Sequence, residues 1–220
     1  MILIDTCDVE RGQPEGANQP RHRSCGWLTI PGGSEGIRAM GILDMLFGKP
    51  DETPAAPPRP EALKIAVSPA GVYAPASGEL VAMADIPDPV FASGAMGPAV
   101  GIAPSEGVIY APVSGTITVT TGTLHAVGLR SDAGIEILIH VGVDTVNMKG
   151  DGFTGFVEQG QSVAAGEPLM VVDLEKVAQA GYSDMVIVAV TNASAFARIE
   201  TATAGGVSAG EQIMDVSSSL

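Results

Sequence analysis

The sequence predicts an all-β protein, an antiparallel β-sandwich or barrel-sandwich built from two similar halves, with at most short helical turns. Three observations predict it. Among 220 residues, 45% are hydrophobic, and 28 Gly and 16 Pro punctuate short apolar runs favouring Val, Ala, Ile and Thr; short strands joined by many turns have this composition. An internal repeat brings back Val72-Tyr73-Ala74-Pro75-Ala76-Ser77-Gly78-Glu79-Leu80 as Ile109-Tyr110-Ala111-Pro112-Val113-Ser114-Gly115-Thr116-Ile117, and a weaker echo links Val163-Ala164-Ala165-Gly166-Glu167-Pro168-Leu169 to Val207-Ser208-Ala209-Gly210-Glu211-Gln212-Ile213. Paired repeats of strand, bend and strand imply two equivalent halves. Around His140 the sequence alternates, with Ile137, Ile139 and Val141 on one face of a strand and Glu136, Leu138 and His140 on the other.

Taken in order, residues 1–39 mix Arg, Gly, Pro, Asp, Glu and Ser without a sustained hydrophobic period. They are expected to be disordered, because they offer little apolar surface to offset the entropy of ordering. Residues 40–64 follow as a short apolar segment, Met40 to Lys49, and a proline-rich extended linker, Pro50 to Pro60. Met40 is a candidate for the true start. The strand-like runs separated by Gly, Pro, Asn and Asp make 65–220 the folded domain. Its one helical candidate is Leu174 to Ala180, with Asp173 placed to cap it and Gly181 to stop it. Gly150 and Gly152 read as a tight turn.

The net charge of −14, with only 11 Lys and Arg, argues against a nucleic-acid partner and for partners with basic faces. Both cysteines, Cys7 and Cys25, precede the domain, which excludes a disulfide framework or a cysteine-based metal site within it. No apolar run approaches the ~18 residues of a membrane span and no export leader is recognisable, so a cytoplasmic location is expected.

Chemistry concentrates at His125 and His140, which flank the turn-like Ser131-Asp132-Ala133-Gly134. A hairpin centred between Asp132 and Ala133 would pair Arg130 with Ile135 and His125 directly with His140, at ~5 Å between Cβ atoms. Alternation would put His125 on a face with Thr123 and Val127. Two imidazoles this close cannot both be protonated cheaply. At least one should be neutral at pH 7, leaving a ring nitrogen free to act as nucleophile, base or metal ligand. Glu136 and Asp144 bracket His140 in sequence, Asp144 reading equally as a turn residue, and Gly142 leaves room for close approach of another surface.

Over roughly residues 68–217 the chain resembles the glucose-type enzyme IIA domain of the bacterial sugar phosphotransferase system. The resemblance rests on Val72 to Gly78, Pro87-Asp88-Pro89-Val90-Phe91, Tyr110 to Thr116, Thr123-Leu124-His125-Ala126-Val127-Gly128-Leu129, and Glu136 to Val146, in the family's order. It implies a phosphoryl carrier: His140 accepts phosphate from the histidine phosphocarrier protein and hands it to a cysteine on the IIB domain of a sugar permease. His125 would hydrogen-bond the phosphoryl group and Thr123 would orient His125. Asp88 and Asp144 would receive a basic side chain of the phosphocarrier, beside an apolar docking surface of Val90, Met96, Val127 and Val141. No metal or cofactor is implied. The sequence departs from the family where Gly-Asp-Gly is common and Gly97-Pro98-Ala99 stands instead, removing an acid and fixing a backbone angle. Residues 41–48 resemble the short amphipathic tail of some members and would give only weak membrane contact.

Two rivals are enzymatic or carrier-like. His140-Val141-Gly142-Val143-Asp144 matches the His-x-Gly-x-Asp ligand pair of lysostaphin-type zinc peptidases, but no His-x-His follows it. A biotinyl or lipoyl carrier would use Lys149, and leaves the two histidines unexplained. A purely regulatory binding protein is a third reading, against which both histidines are intact. A monomer suits a carrier that exposes one face to successive partners, and sugar identity lies with the permease.

Overall fold

The computed structural model describes residues 57–217. The expectations for disorder over 1–39, a start at Met40 and membrane contact through 41–48 fall outside that range. In chain order the elements are β1 (Gly71–Tyr73), β2 (Gly78–Val81), α1 (Pro89–Ala92), β3 (Ala99–Pro104), β4 (Val108–Tyr110), β5 (Gly115–Thr120), β6 (Ala126–Ser131), β7 (Glu136–Val143), β8 (Phe153–Gly155), β9 (Ser162–Val163), β10 (Pro168–Val172), α2 (Leu174–Gln179), β11 (Ser183–Val190), β12 (Arg198–Thr201), β13 (Gly205–Val207) and β14 (Gln212–Ser217). An eight-stranded sheet runs β13-β2-β3-β11-β7-β6-β5-β9, and two three-stranded sheets run β1-β14-β12 and β4-β10-β8. Every pairing is antiparallel.

The large sheet has an apolar cluster on each face. On one, Ile137, Ile139 and Val141 of β7 and Val186, Val188 and Val190 of β11 enter the main core with residues of both small sheets. On the other, Ile187 and Ala189 of β11 join Ile86, Phe91 and Ala99 in a smaller cluster, against which Leu138 and Val143 of β7 pack. The alternation expected for β7 is therefore present, and each buried Val, Ile or Phe contributes about 1.5–3 kcal/mol of hydrophobic stabilisation. His140 belongs to the face of the smaller cluster.

The repeats correspond to matching hydrogen bonds. The amide of Tyr73 donates to the Pro112 carbonyl at 2.9 Å, and that of Tyr110 to the Pro75 carbonyl at 2.8 Å. Ala74 exchanges backbone hydrogen bonds with the turn at Gly210 and Glu211, as Ala111 does with the turn at Gly166 and Glu167. The Ser77 hydroxyl accepts from the Ala209 amide at 3.1 Å and the Ser114 hydroxyl from the Ala165 amide at 3.0 Å. Glu211 and Glu167 each close their own turn by accepting from an amide three residues earlier, both at 3.1 Å. The strong and weak repeats are thus parts of one device: each proline bend clamps the Gly-Glu turn of its own half. The end of the proline-rich segment lies on these turns, with the Leu63 amide donating to the Gly166 carbonyl at 2.8 Å, Arg59 paired with Glu167 at 2.6 Å, and Ile65 against Gly210.

Two local expectations are corrected. The β6–β7 hairpin pairs Arg130 with Glu136 and Ala126 with His140, so His140 does not face His125 across the ladder. The reason is the turn: Gly134 takes a left-handed conformation (φ 84°) and makes the connection a three-residue loop instead of a two-residue one. A one-residue slip moves every opposed pair. His125 also does not share a face with Val127, because Leu124 (φ 58°) ends the regular strand ahead of it while Val127 enters the core. The helix at Leu174–Gln179 forms as expected, Asp173 accepting from the Lys176 amide at 3.1 Å and Gly181 following in the left-handed region. A second short helix, α1, is one that sequence reasoning missed. Asp88 and Pro89 were its signal, a cap followed by proline at the first helical position.

Candidate functional site

His140 is the fifth of the eight residues of β7, held between Ala126 of β6 and Ile187 of β11. Against its ring lies Phe91, centroid to centroid 5.4 Å and tilted by 53°. Phe91 is placed there by α1, whose first turn is fixed by Asp88: one carboxylate oxygen accepts from the amides of Val90 at 2.8 Å and Phe91 at 3.3 Å. The opposite neighbour is His125, whose ring meets that of His140 edge-on at 5.2 Å and 81°. The expected proximity of the two imidazoles is therefore present although the expected register is not. The link is the backbone, since the Val141 amide donates to the His125 carbonyl at 2.7 Å.

The His125 ring is oriented from behind. Thr123 Oγ1 lies 2.6 Å from His125 Nδ1, and Thr121 Oγ1 lies 3.3 Å from the same nitrogen. His140 differs: its Nδ1 is buried and makes no well-formed hydrogen bond, so Nε2 is the nitrogen it can present to another molecule. Gly142 keeps this strand end narrow. A Cβ there would lie 2.2 Å from Thr145 Cγ2 and 2.7 Å from the Ser183 carbonyl, and its φ of 78° favours glycine independently. Thr145 in turn donates its hydroxyl to the Val141 carbonyl at 2.5 Å, closing the bend at Asp144, itself left-handed at φ 61°.

Burial pushes both imidazoles below the ordinary histidine pKa. For His140 burial is the largest cause and the neighbouring His125 adds to it, while a backbone group of Gly142 and the carboxylates of Asp88 and Asp144 pull the other way. Both shifts favour the neutral rings, and a neutral imidazole keeps one nitrogen lone pair; on His140 the nitrogen away from the buried side is Nε2, with the edge of the His125 ring beside it. That arrangement suits in-line attack on an electrophile whose oxygens need a donor nearby. Among the described residues no group of three or more His, Cys, Asp or Glu converges in a way that could hold a metal ion.

The residues expected to dock partners separate into two groups. Val90 is 50% exposed beside Asp88, and Met96 is half-buried against the small cluster. Val127 and Val141 are each only 1% exposed and belong to the main core, so the docking surface expected of them is corrected: strand alternation turns them inward. Sequence reasoning gave no role to Val146, 45% exposed next to Asp144 and Thr145, where an apolar residue in a polar turn was the available sign. Phe91 and Thr121 also received no role. At Gly97-Pro98-Ala99 the loop is held without the acid, Gly97 at φ 96° passing close to the Val190 carbonyl and Pro98 accepting from the Val190 amide at 3.0 Å.

Residues 70–196 match the family described as phosphoenolpyruvate-dependent sugar phosphotransferase system, EIIA 1. The chain belongs to that family. It is 42% identical over 140 residues to the glucose-specific EIIA component of Halalkalibacterium halodurans, covering 64% of this chain and 81% of that protein. It is 39% identical over 146 residues to the beta-glucoside-specific EIIBCA component of Bacillus subtilis, covering 66% of this chain and spanning 24% of that longer protein. Among solved structures, glucose permease IIA from Mycoplasma capricolum aligns with a TM-score of 0.59 at 34% identity, over 66% of this chain and 93% of that one. The expected fold is thereby present, and the protein is a phosphoryl carrier, a phosphotransferase component of sugar uptake. EIIA domains of this system pass phosphate between the histidine phosphocarrier protein and a IIB domain, and relatives in which EIIA is joined to EIIB agree with a IIB partner. Membership in this family displaces the zinc-peptidase and biotinyl or lipoyl readings. Among the described residues, no helix is long and apolar enough to cross a membrane.

Proposed function

We propose that His140 is the phosphoryl acceptor and donor of this carrier. In the accepting step the lone pair of neutral Nε2 attacks phosphorus in line. The bond from phosphorus to the phosphocarrier's nitrogen breaks, and that nitrogen keeps the electron pair. In the donating step a cysteine thiolate of the IIB domain attacks the same phosphorus, and the His140 nitrogen leaves with its pair. The protein has only to position and shield charge. His125 donates from Nε2 to the phosphoryl oxygens, its ring held by Thr123. Asp88 and Asp144 face a basic side chain of the phosphocarrier, with Val90 and Met96 supplying apolar contact; Val146 joins them on grounds of exposure. Apolar residues beside acids suit a transient, electrostatically guided interface.

The observation that carries this reading is the edge-on His125–His140 pair with Nδ1 of His140 buried, in surroundings that lower the pKa of both rings. The experiment passes label from phosphoenolpyruvate through enzyme I and the phosphocarrier to wild type, His140→Ala and His125→Gln, judged by acid-labile phosphate. His140→Ala should take no label. His125→Gln should accept label but donate it to a IIB domain roughly 10²–10³-fold more slowly, the range for losing one donor to a developing anion. Labelling of His140→Ala at the wild-type rate would overturn the assignment.

A further inference from the structure

We propose that Thr121 is a second hydroxyl setting the tautomer of His125, acting with Thr123 so that Nε2 carries the hydrogen that meets the phosphoryl group. This rests on the role given to His125 above. Which nitrogen of a neutral imidazole bears hydrogen is decided by the partner of the other nitrogen. If Nδ1 carries it, Nε2 presents only a lone pair, which repels phosphoryl oxygens. If Nδ1 accepts from a hydroxyl, Nε2 becomes a donor.

Two hydroxyls reach Nδ1: Thr123 Oγ1 at 2.6 Å and Thr121 Oγ1 at 3.3 Å. Thr121 does not wander. Its amide donates to the Ala126 carbonyl at 3.1 Å, its carbonyl accepts from the Leu124 amide at 2.9 Å, and its Oγ1 accepts from the Ala126 amide at 3.2 Å. Accepting that amide fixes where Oγ1 sits and leaves its single hydrogen a choice of two targets, the Ala126 carbonyl at 3.3 Å or His125 Nδ1. The carbonyl already receives the Thr121 amide; an unprotonated Nδ1 has one lone pair facing both threonines.

The consequence depends on the tautomer. With hydrogen on Nδ1, that hydrogen goes to the nearer Thr123 oxygen and the Thr121 hydroxyl turns back to the carbonyl, contributing nothing to the ring. With Nδ1 unprotonated, both hydroxyls can point at it. Thr121 therefore stabilises only the tautomer that donates from Nε2, and takes over the task when Thr123 cannot perform it. Thr121 is a positioning residue, since it touches His125 and not the reacting atoms.

The test uses the full chain labelled with 15N in its histidines. Wild type, Thr121→Val, Thr121→Ser, Thr123→Val and the double variant are compared by imidazole 15N shifts and by the rate of donation to a IIB domain. Wild type and Thr121→Ser should show His125 with a hydrogen-free Nδ1 and a hydrogen-bearing Nε2. Thr121→Val should move His125 toward a mixed population. Thr123→Val should slow donation about tenfold, and adding Thr121→Val should slow it by about another tenfold, the scale for losing groups that orient a functional histidine. An Nδ1–H tautomer in wild type overturns the proposal without any variant, so a misfolded valine variant cannot shield it. So does slower donation in Thr121→Val with the tautomer unchanged, which would mean that Thr121 acts only by closing its loop. Unchanged donation in His125→Gln would instead overturn the role of His125 itself, whatever the shifts report.

Discussion

The two proline bends and the histidine end of the large sheet are built on opposite plans. At the bends, each half repeats the other: Ser77 does for Ala209 what Ser114 does for Ala165, and Glu211 closes its turn as Glu167 does. At the histidine end nothing repeats. Leu124 is left-handed, Gly134 shifts a register, Asp88 caps a helix of four residues, and Gly142 admits Thr145. Symmetry supplies the frame, and the site proposed for the chemistry lies where symmetry is broken. Duplication can equip both halves to fold, but a phosphoryl site needs one nucleophile and one unlike neighbour.

Breaking each region separately should give different outcomes. The largest effect is expected for Phe91→Ala, which empties the small cluster and bares the His140 ring. Stability should fall by about 3–5 kcal/mol in urea unfolding, and added water should let the His140 pKa rise toward its ordinary value. Asp88→Ala removes the cap of α1 and should cost about 0.5–2 kcal/mol. Because the Asp88 carboxylate favours the protonated ring, the variant should also lower the His140 pKa further, as followed by NMR titration. Ser77→Ala and Ser114→Ala should each cost about 0.5–1.5 kcal/mol, equal within error, with phosphoryl acceptance unchanged. Unequal costs would mean that the two halves are alike in geometry but not in energetics.

The smallest expected effect is on pH dependence. The folded-state pKa of His140 lies below its ordinary value, so acceptance should stay flat as pH falls past the usual imidazole range and drop only when the folded ring protonates. Stability follows the same sign. Above the unfolded value of ~6.5 both states are neutral, and below it the unfolded chain takes the proton first, so stability declines until the folded ring protonates too. His125→Gln removes the neighbour that lowers the His140 pKa and should shift the acid limb of acceptance to higher pH. A shift to lower pH would contradict the like-charge account of the pair.

The frame was legible because it is written twice. Repeats, alternation in β7 and the Asp173 to Gly181 helix signals all lie in short windows where period and turn chemistry decide structure. The histidine pair was legible in kind and wrong in detail: spacing brought the rings together, but the loop length that sets register hung on the conformation of Gly134. Alternation in β7 already set Val141 on the face of Ile137 and Ile139, and only the resemblance drew it to the surface; Val127 was not legible, because the left-handed Leu124 breaks the alternation that linked it to His125. Val146 and the helix that carries Phe91 had local signs, an apolar residue in a polar turn and the Asp88-Pro89 cap, but the contact of Phe91 with His140 is long-range packing and that of Thr121 with His125 depends on a bent loop, which no local pattern encodes.

The proposed phosphoryl transfer requires His140 to present Nε2, the nitrogen left to it when Nδ1 is buried. The direct measurement is 15N–31P coupling in the phosphorylated full chain carrying 15N histidine. Coupling at Nε2 of His140, with His125 unmodified, is the predicted result. Phosphorus bonded to Nδ1 of His140, or to either nitrogen of His125, would contradict it.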